Sequence, residues 1–301
     1  MIRALRKYPL LYTLVFPGLL YYLIFYYIPM FGVVIAFKDY SPFTGITGIF
    51  TSDWVGFLHF RNFFESYSFF QVMNNTLLLG LYNIVFGFPA PILLALLLNE
   101  VIHKSFKRWV QTITYLPYFL SMVVVVGILN FLLSSDGGLV NEVVKFFGYE
   151  SVTFLGEQKF YRIIIILTQI WQQIGWESII FLAAVATIDS QQYEAAVIDG
   201  AGKLRQIWHI TIPGILPVIT IMLILRMGNV LNVNYELILL TYSPSTMDVG
   251  DVIDTFVYRE GLIGMKYSYT AAVGFYKSLF SAILLLGANY LAKKSGQDGI
   301  W

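Results

Sequence analysis

Six long runs of apolar residues alternate with polar segments along the 301-residue chain. Each run is about 20 residues or longer, which is the length a helix needs to cross a hydrocarbon core of roughly 30 Å. The first run is too long for a signal peptide and lacks a small-residue cleavage site, so it is expected to be retained. We therefore predict an all-α membrane protein with six transmembrane helices, at about 9–37, 74–98, 110–133, 162–187, 215–240 and 270–292.

Basic residues are unevenly divided between the polar segments. With both termini cytoplasmic, the inner segments hold ten Lys and Arg against five acids, and the longer outer segments hold seven against eleven. This excess favours cytoplasmic termini, because Lys and Arg concentrate in cytoplasmic loops. The inner bases of the N-terminal end are Arg3, Arg6 and Lys7. We expect short helices and turns, which together form a docking surface, in the outer segments near 38–73, 134–161 and 241–269.

Composition agrees with a membrane protein and excludes several kinds of chemistry. The chain is 57% hydrophobic and 12% charged, against about 25% charged in soluble domains. It contains no cysteine, which excludes disulfides, thiol nucleophiles and thiolate metal sites. Its three histidines, His59, His103 and His209, lie far apart, so a zinc site built on helical His spacing is not expected. We predict a single transmembrane domain over 1–301.

A polar segment at about 189–213 separates the fourth and fifth runs. Asp189 begins a capping-box pattern, and a short helix is expected to follow at 193–198. Gly200 and Gly202 then allow the chain to turn, because glycine tolerates positive φ. The first half of the segment is therefore predicted to be a capped helix followed by a turn.

The second half of the polar segment is amphipathic. Pro213 and Pro217 are expected to separate it from the fifth transmembrane helix. This shape suits a short helix that enters a partner's groove, and equally a capped helix that only joins two spans. The residues predicted to share one face of its helical turn are Leu204, Ile207, Trp208 and Thr211.

A long, spaced signature runs through the polar segment: Glu194-Ala195-Ala196, then Asp199-Gly200-Ala201, then Ile210, Pro213 and Pro217. It resembles the EAA loop of the membrane subunits of ABC importers. Shorter sequences elsewhere are similar to the oligosaccharide and polysaccharide permease branch of the carbohydrate uptake family. They are Gly175-Trp176, Ala183-Ala184, Asp251-Val252-Ile253, Tyr258-Arg259 and Gly299-Ile300-Trp301.

The resemblance implies that the segment is a coupling helix docked on a cytoplasmic ATPase subunit. Glu194 would pair with a basic residue of that ATPase, and Gly200 would supply the turn. The chain has no P-loop, since Gly202-Lys203 lacks both the upstream glycine and the following Ser or Thr. ATP and magnesium would therefore be bound by partner chains. The implied ATPase-coupling residues are Glu194, Ala195, Ala196, Asp199, Gly200 and Ala201.

The resemblance also implies the other members of the assembly. A six-span subunit forms half of a pathway, which a second homologous membrane subunit, more often a different chain, would complete. Two ATPase subunits would drive the change between inward-open and outward-open states, and an extracytoplasmic binding protein would deliver an oligosaccharide. The chain itself would catalyse no reaction and would bind no cofactor, metal or nucleic acid. Its implied location is the bacterial cytoplasmic membrane.

Polar residues within the apolar runs mark a candidate solute pathway, because they are costly in lipid. Amides can bond sugar hydroxyls, and an indole can stack on a sugar ring. One helical face of the fourth run carries Gln169, Gln172, Gln173, Trp176 and Glu177. On the fifth run, where Gly228 is expected to loosen the helix and Asn234 to face elsewhere, the shared face carries Arg226, Asn229, Asn232 and Glu236.

Other interpretations of these patterns stay open at this point. The polar faces also suit hydrogen bonds between helices, and the charges of Glu177, Arg226, Glu236 and Lys277 also suit structural ion pairs. A stand-alone carrier driven by an ion gradient would explain the spans but not the EAA-like segment. An intramembrane enzyme is disfavoured, since HExxH and GxSxG patterns are absent. The resemblance suggests oligosaccharides from complex polysaccharides, including acidic ones, without fixing the solute.

Overall fold

The structure is a computed structural model that describes residues 9–297 and 299–300. The bases predicted to be cytoplasmic at Arg3, Arg6 and Lys7, and Trp301 of the terminal motif, lie outside the described residues. The α-helices are Pro9–Tyr22, Ile28–Met30, Gly45–Thr51, Leu58–Phe64, Ser68–Tyr82, Pro89–Glu100, Lys104–Tyr115, Met122–Leu133, Leu139–Phe146, Gln158–Val185, Ser190–Ile198, Lys203–Gln206, Ile212–Gly228, Tyr235–Thr241, Met247–Gly250, Ile253–Val257 and Tyr267–Lys294. Short π-helical stretches occur at Leu23–Tyr27, Asn83–Gly87, Ile207–Thr211 and Tyr258–Ile263, and 3-10 stretches at Phe31–Phe37, Pro42–Thr44 and Leu116–Phe119.

Five helical stretches of the described chain are long and apolar enough to cross a membrane, and one bent helix pair could form a sixth crossing. This confirms the predicted all-α membrane fold. In chain order we call them span one, Tyr12–Phe37; span two, Ser68–Glu100; span three, the bent pair Lys104–Phe119 and Met122–Leu133; span four, Gln158–Val185; span five, Lys203–Gly228; and span six, Tyr267–Lys294.

The described chain divides into two compact units, and each is considered by itself. One unit holds residues 9–66 and Val257–Ser278, and the other holds Tyr67–Phe256 and residues 279–300. In the first, Phe37 stacks on Trp54 with ring centroids 5.6 Å apart. The second contains spans two to five and the polar segment, so all of the geometry below belongs to this unit.

Span three is not the continuous helix predicted at 110–133. Its two halves meet at an angle of 107°. The first half ends in a 3-10 turn that contains Pro117, and the backbone is extended at Leu120 and Ser121. Ser121 then caps the second helix, since its hydroxyl oxygen accepts a hydrogen bond from the backbone N–H of Val124 at 3.4 Å. A proline followed by an N-cap thus stops one helix and starts another within a mainly apolar stretch.

Span five differs from the predicted helix at 215–240 at both ends. It begins at Lys203, and Pro213 and Pro217 lie within its helical course instead of separating it from the polar segment. A π-helical turn at Ile207–Thr211 precedes the first proline, and such turns relax the hydrogen-bond pattern that proline interrupts. The prediction that these prolines end one element and begin another is therefore wrong.

Span five ends at Gly228, and a helical break follows at 229–234. Three asparagines make local hydrogen bonds there. Asn229 Nδ2 donates to the Leu225 carbonyl oxygen at 3.0 Å, and Asn232 Nδ2 donates to Asn229 Oδ1 at 2.9 Å. Asn234 caps the next helix. Asparagine side chains compete with helical hydrogen bonds in this way, so the helical face predicted for Arg226, Asn229, Asn232 and Glu236 does not exist beyond Gly228.

Glycines allow two backbones to touch at the break and at the bend. A Cβ added to Gly80 of span two would overlap the carbonyl oxygen of Val230, and one added to Gly175 of span four would overlap that of Thr114. Close approach of this kind is typical of helix packing in lipid. No hydrophobic force drives helices together there, and small residues allow the close van der Waals contact that does. Gly80 therefore fixes the position of the break, and Gly175 fixes the end of the first half of span three.

Hydrogen bonds fasten the segment after the break to spans two and four. Asn75 Nδ2 donates to the carbonyl oxygens of Asp248 at 2.9 Å and Asp251 at 3.0 Å. Arg162 Nη2 donates to Asn75 Oδ1 at 2.6 Å. Asp251 begins one of the short sequences with a family resemblance, and its carboxylate accepts from the Thr255 hydroxyl at 2.8 Å in a buried site. These contacts hold the segment after the break in place against spans two and four.

Candidate functional site

A cavity of about 310 Å³ lies at the break in span five. Span two supplies one wall, span four a second, and span five with its break the third. Seven of the eleven lining residues are polar, and six of these are amides, which offer both hydrogen-bond donors and acceptors. The lining residues are Gly80, Asn83, Ile84, Gln169, Gln173, Arg226, Asn229, Val230, Asn232, Val233 and Asn234.

A chain of short hydrogen bonds crosses this cavity wall. Arg226 Nη1 donates to Glu177 Oε1 at 2.6 Å, and Arg226 Nη2 donates to Asn83 Oδ1 at 2.6 Å. Asn83 Nδ2 in turn donates to Gln169 Oε1 at 2.7 Å. The two charged side chains are only 22% and 21% exposed, so the ion pair is poorly screened. The network joins spans two, four and five and fixes the guanidinium group.

Span two is shaped to receive this guanidinium group. Asn83 and Gly87 lie at the two ends of a π-helical turn. A Cβ added to Gly87 would lie 3.2 Å from both Arg226 Nη2 and Asn83 Oδ1. Any residue larger than glycine would therefore press on the hydrogen bond between them.

The structure gathers five of the nine predicted pathway residues around the cavity. The helical face of span four contributes two of them, and the end of span five with its break contributes three. They are Gln169, Gln173, Arg226, Asn229 and Asn232.

The other four predicted pathway residues lie outside the cavity lining. Gln172 is buried, and its amide lies 3.5 Å from the Leu120 carbonyl oxygen. Trp176 stacks on Tyr118 with ring centroids 4.6 Å apart. Glu177 faces a second, mainly apolar cavity of about 220 Å³ that shares Arg226 with the first. Glu236 is exposed in the first turn of the Tyr235–Thr241 helix.

Asn83 and Asn234 are cavity residues that the sequence patterns did not reveal. Asn83 is an isolated polar residue in an apolar run. Because a polar side chain is costly in lipid, its presence there was the one available sign of a role in the cavity. Asn234 was predicted to face elsewhere, which is wrong, because the prediction assumed a helix where the chain is broken.

The first half of the polar segment forms the predicted capped helix and turn, but the helix begins at Ser190 instead of 193, and only one of the two glycines makes the turn. Its helix is Ser190–Ile198, and the Asp189 side chain accepts from the backbone N–H of Gln191 at 3.0 Å. Gly200 has φ +74°, the left-handed region that favours glycine. Gly202 has φ −70° and precedes the next helix as its N-cap. The turn therefore depends on Gly200 and not on Gly202.

This difference between the two glycines gives a matched test. We expect Gly200→Ser to destabilise the turn by about 1–2 kcal/mol, because a side chain is strained in the left-handed region. Gly202→Ser should be tolerated, since a Cβ there meets no atom within 4 Å and serine is a good N-cap. Amide hydrogen exchange over residues 190–206 measures the effect, with about tenfold faster exchange expected for Gly200→Ser alone. Equal exchange in both variants would contradict this account.

The predicted amphipathic face in the second half of the segment is wrong. Leu204 and Trp208 are 74% and 66% exposed, whereas Gln206 and Thr211 are buried. Gln206 Nε2 donates to the Ala201 carbonyl oxygen at 2.9 Å. Gln206 is thus buried while Leu204 and Trp208 are exposed. This stretch is continuous with span five, so the direction of that helix determines which of its side chains face the protein. The exposed apolar side chains leave a surface suited to a partner.

A groove of about 540 Å³ lies between this segment and the end of span two. Lys203 Nζ bridges to Glu100 Oε2 at 3.1 Å, which ties the two elements together. The groove is lined by Asn99, Glu100, Tyr193, Glu194, Val197, Ile198, Lys203 and Gln206. Within the described residues, no three His, Asp or Glu side chains are grouped as a metal site.

Residues 87–297 match the family model described as binding-protein-dependent transport system inner membrane component. The chain belongs to this family. Two relatives of this inner membrane component come from Bacillus subtilis (strain 168). Protein LplB is 46% identical over 298 residues, covering 99% of this chain and 93% of the relative. The polygalacturonan/rhamnogalacturonan transport system permease protein YteP is 48% identical over 291 residues, covering 97% and 90%.

Two solved structures are similar to this inner membrane component. One is a bacterial alginate ABC transporter in complex with alginate pentasaccharide-bound periplasmic protein, with a TM-score of 0.91, 38% identity and coverage of 100% of this chain and 99% of that chain. The other is a bacterial ABC transporter involved in the import of the acidic polysaccharide alginate, with a TM-score of 0.89, 38% identity and coverage of 97% and 98%.

Family, relatives and structures agree on the kind of protein. The chain is a membrane subunit of an ABC importer, a multi-pass permease of the cytoplasmic membrane. This confirms the resemblance drawn from the EAA-like segment. The alternative of a stand-alone carrier driven by an ion gradient finds no support among these similarities.

Proposed function

We propose that this permease forms half of an import pathway for an oligosaccharide delivered by an extracytoplasmic binding protein. The observation that carries the proposal is the amide-rich cavity at the break in span five. Hydroxyl groups of sugars need both donors and acceptors, and each amide supplies both. Interrupted helices are a common way to place such groups within a membrane, because the freed backbone and side chains line a cavity.

The relatives support the choice of solute class. The names of YteP and of the two similar structures refer to polygalacturonan, rhamnogalacturonan and alginate, which are all polysaccharides. Similarity over nearly the whole chain includes the spans that form the cavity. Oligosaccharides released from such polymers are therefore the solute class that the cavity and the comparisons favour together.

The polar segment is the proposed contact with a cytoplasmic ATPase. Glu194 lies exposed on the groove, and the Gly200 turn directs the chain from the short helix into span five. The implied coupling residues are all in this exposed part of the segment: Glu194, Ala195, Ala196, Asp199, Gly200 and Ala201. Two such ATPase subunits would bind ATP and magnesium, with a second, homologous membrane subunit completing the pathway. With this contact on the cytoplasmic side, both termini would also be cytoplasmic, which the distribution of bases favours.

A reconstituted complex tests the solute class. We expect the binding protein loaded with an oligosaccharide to stimulate ATP hydrolysis and uptake by proteoliposomes that contain the permease, its partner subunit and the ATPase. A panel of oligosaccharides of different charge identifies the solute. If no member of the panel stimulates hydrolysis while another solute class does, the oligosaccharide proposal is wrong.

Replacing the cavity amides tests the pathway. We expect alanine at both Asn229 and Asn232 to weaken uptake about 30-fold, because two hydrogen bonds of about 1 kcal/mol each are lost. Asn130→Ala is the matched control, since this exposed asparagine of span three does not line the cavity. Uptake is measured at equal permease content. An equal effect of the control would show that the cavity has no special role.

A further inference from the structure

Arg226 stands between two adjoining cavities. Its side chain lines the amide-rich cavity of about 310 Å³ and also the smaller cavity of about 220 Å³, where Glu177 forms part of the lining. Among the residues that line the larger cavity, all of them within the described chain, Arg226 alone carries a formal charge. The electrostatic character of that cavity therefore depends on what neutralises this guanidinium group.

Glu177 neutralises it at short range. Arg226 Nη1 and Glu177 Oε1 are 2.6 Å apart, and both side chains are about four-fifths shielded from solvent. A solute held several ångströms away meets a compact pair with no net charge instead of a cation. Because unpaired charges in such surroundings interact strongly over that distance, the pairing determines whether an acidic solute is attracted.

Asn83 keeps the guanidinium group in this arrangement. Its Oδ1 accepts from Arg226 Nη2 and its Nδ2 donates to Gln169. The absence of a side chain at Gly87 leaves room for that contact. The arginine is thus held from two sides, by a carboxylate on span four and by an amide on span two, and its donors at Nη1 and Nη2 are directed toward protein acceptors.

We propose that Glu177 sets the charge selectivity of the translocation cavity. By neutralising Arg226 it lets the amides recognise sugar hydroxyls while acidic and neutral sugar units pass with similar ease. Asn83 acts as a positioning residue that holds Arg226 toward Glu177. This inference rests on the proposed function, in which the cavity conducts an oligosaccharide. Glu177 would then determine specificity in addition to forming a structural ion pair with Arg226.

The test uses two solutes that differ in charge but share one backbone: an oligogalacturonide and its methyl ester. Uptake of each is measured in proteoliposomes with the complete transporter and the same binding protein, and the result is the ratio of acid to ester uptake. The contribution of the binding protein cancels when a variant's ratio is divided by that of the wild type. A change in permease amount cancels as well.

Glu177→Gln should raise the ratio of acid to ester uptake about tenfold, because it leaves Arg226 as an uncompensated cation. The double variant Glu177→Gln with Arg226→Gln removes both charges, and its ratio should return to within about twofold of the wild type. If Glu177 had only a structural role, its replacement would change the amount of uptake but not the ratio of acid to ester uptake. The double variant would then have no altered ratio to restore.

A second variant tests the opposite direction. Asn83→Asp places another carboxylate against Arg226 Nη2, so the cavity gains a negative charge and the ratio should fall about tenfold. This variant provides the result even where Glu177→Gln yields little folded permease. Unchanged ratios in the variants that transport would overturn the proposal. Absence of uptake of both solutes by the wild type would instead count against the proposed solute class.

Discussion

Replacing Glu194 with arginine is expected to reduce solute uptake roughly 100-fold while the permease stays in the membrane at its normal amount. Glu194 is exposed on the helix Ser190–Ile198, where it lines the groove next to Asn99 and Glu100 of span two. Within the described chain no ion pair holds this carboxylate at 4 Å or less. Reversing its charge thus leaves the fold intact and affects only a partner.

The physical reason is the desolvated contact that the proposed ATPase would make there. A basic group facing Glu194 gains a charge-assisted hydrogen bond, and arginine in its place turns attraction into like-charge repulsion in a closed interface. Such interfaces lose several kcal/mol when one partner of a charge pair is reversed. Coupling should therefore fail even though the cavity near the break in span five is unchanged.

Three measurements check this prediction together: solute uptake, ATP hydrolysis by the reconstituted complex, and co-purification of the ATPase with the permease. We expect either hydrolysis without uptake or loss of the ATPase from the complex. Glu150→Arg is the control for hydrolysis and for co-purification of the ATPase, because it reverses another exposed acid in a predicted outer segment, away from the polar segment. Normal uptake by the Glu194 variant would mean that this residue has no part in coupling.

Adding a single methyl group at Gly80 is expected to destabilise the permease by about 1–3 kcal/mol and to disturb the cavity. The new Cβ would overlap the Val230 carbonyl oxygen, which is backbone and cannot rotate away. The break in span five must therefore move. Since Gly80 and Val230 both line the cavity, the displacement changes its shape, and uptake should fall together with stability.

Gly127→Ala is the matched control for Gly80→Ala. Gly127 lies in the helix Met122–Leu133, and a Cβ there meets no atom within 4 Å. Alanine is also a better helix former than glycine by about 1 kcal/mol. Thermal unfolding of the purified complex and uptake at equal permease content are the measurements. If the two variants behave alike, the contact between Gly80 and Val230 does not position the break.

Spans three and five, whose predicted helices were wrong, show what hydropathy patterns cannot predict. Average hydropathy along 110–133 and 215–240 is high despite scattered polar residues, so a count of apolar residues predicts one helix in each. The structure instead places a 107° bend after Pro117 and a break after Gly228. Both features follow from local hydrogen bonding by Ser121 and by the asparagines, which hydropathy does not measure.

The candidate cavity could be predicted in part. Gln169 and Gln173 share one helical face, and span four is one uninterrupted helix that keeps this face, so periodicity found them correctly. Asn83 could not be assigned a role from the sequence, because that role depends on hydrogen bonds with Gln169 and Arg226 on other spans. Asn234 was missed because helical geometry was assumed across the break.

The sequence by itself determined that the chain lies in a lipid bilayer, that it is all-helical, and which family it resembles. Long apolar runs need lipid, and the spaced signature from Glu194 to Pro217 resembles that of ABC importer membrane subunits. At Gly200 this signature meets a local requirement, because the backbone there has positive φ. Only the tertiary structure decided which polar side chains meet. The pairing of Arg226 with Glu177 and Asn83 joins residues 49 and 143 positions apart, and such contacts depend on how glycine-lined helices pack, which no local pattern encodes.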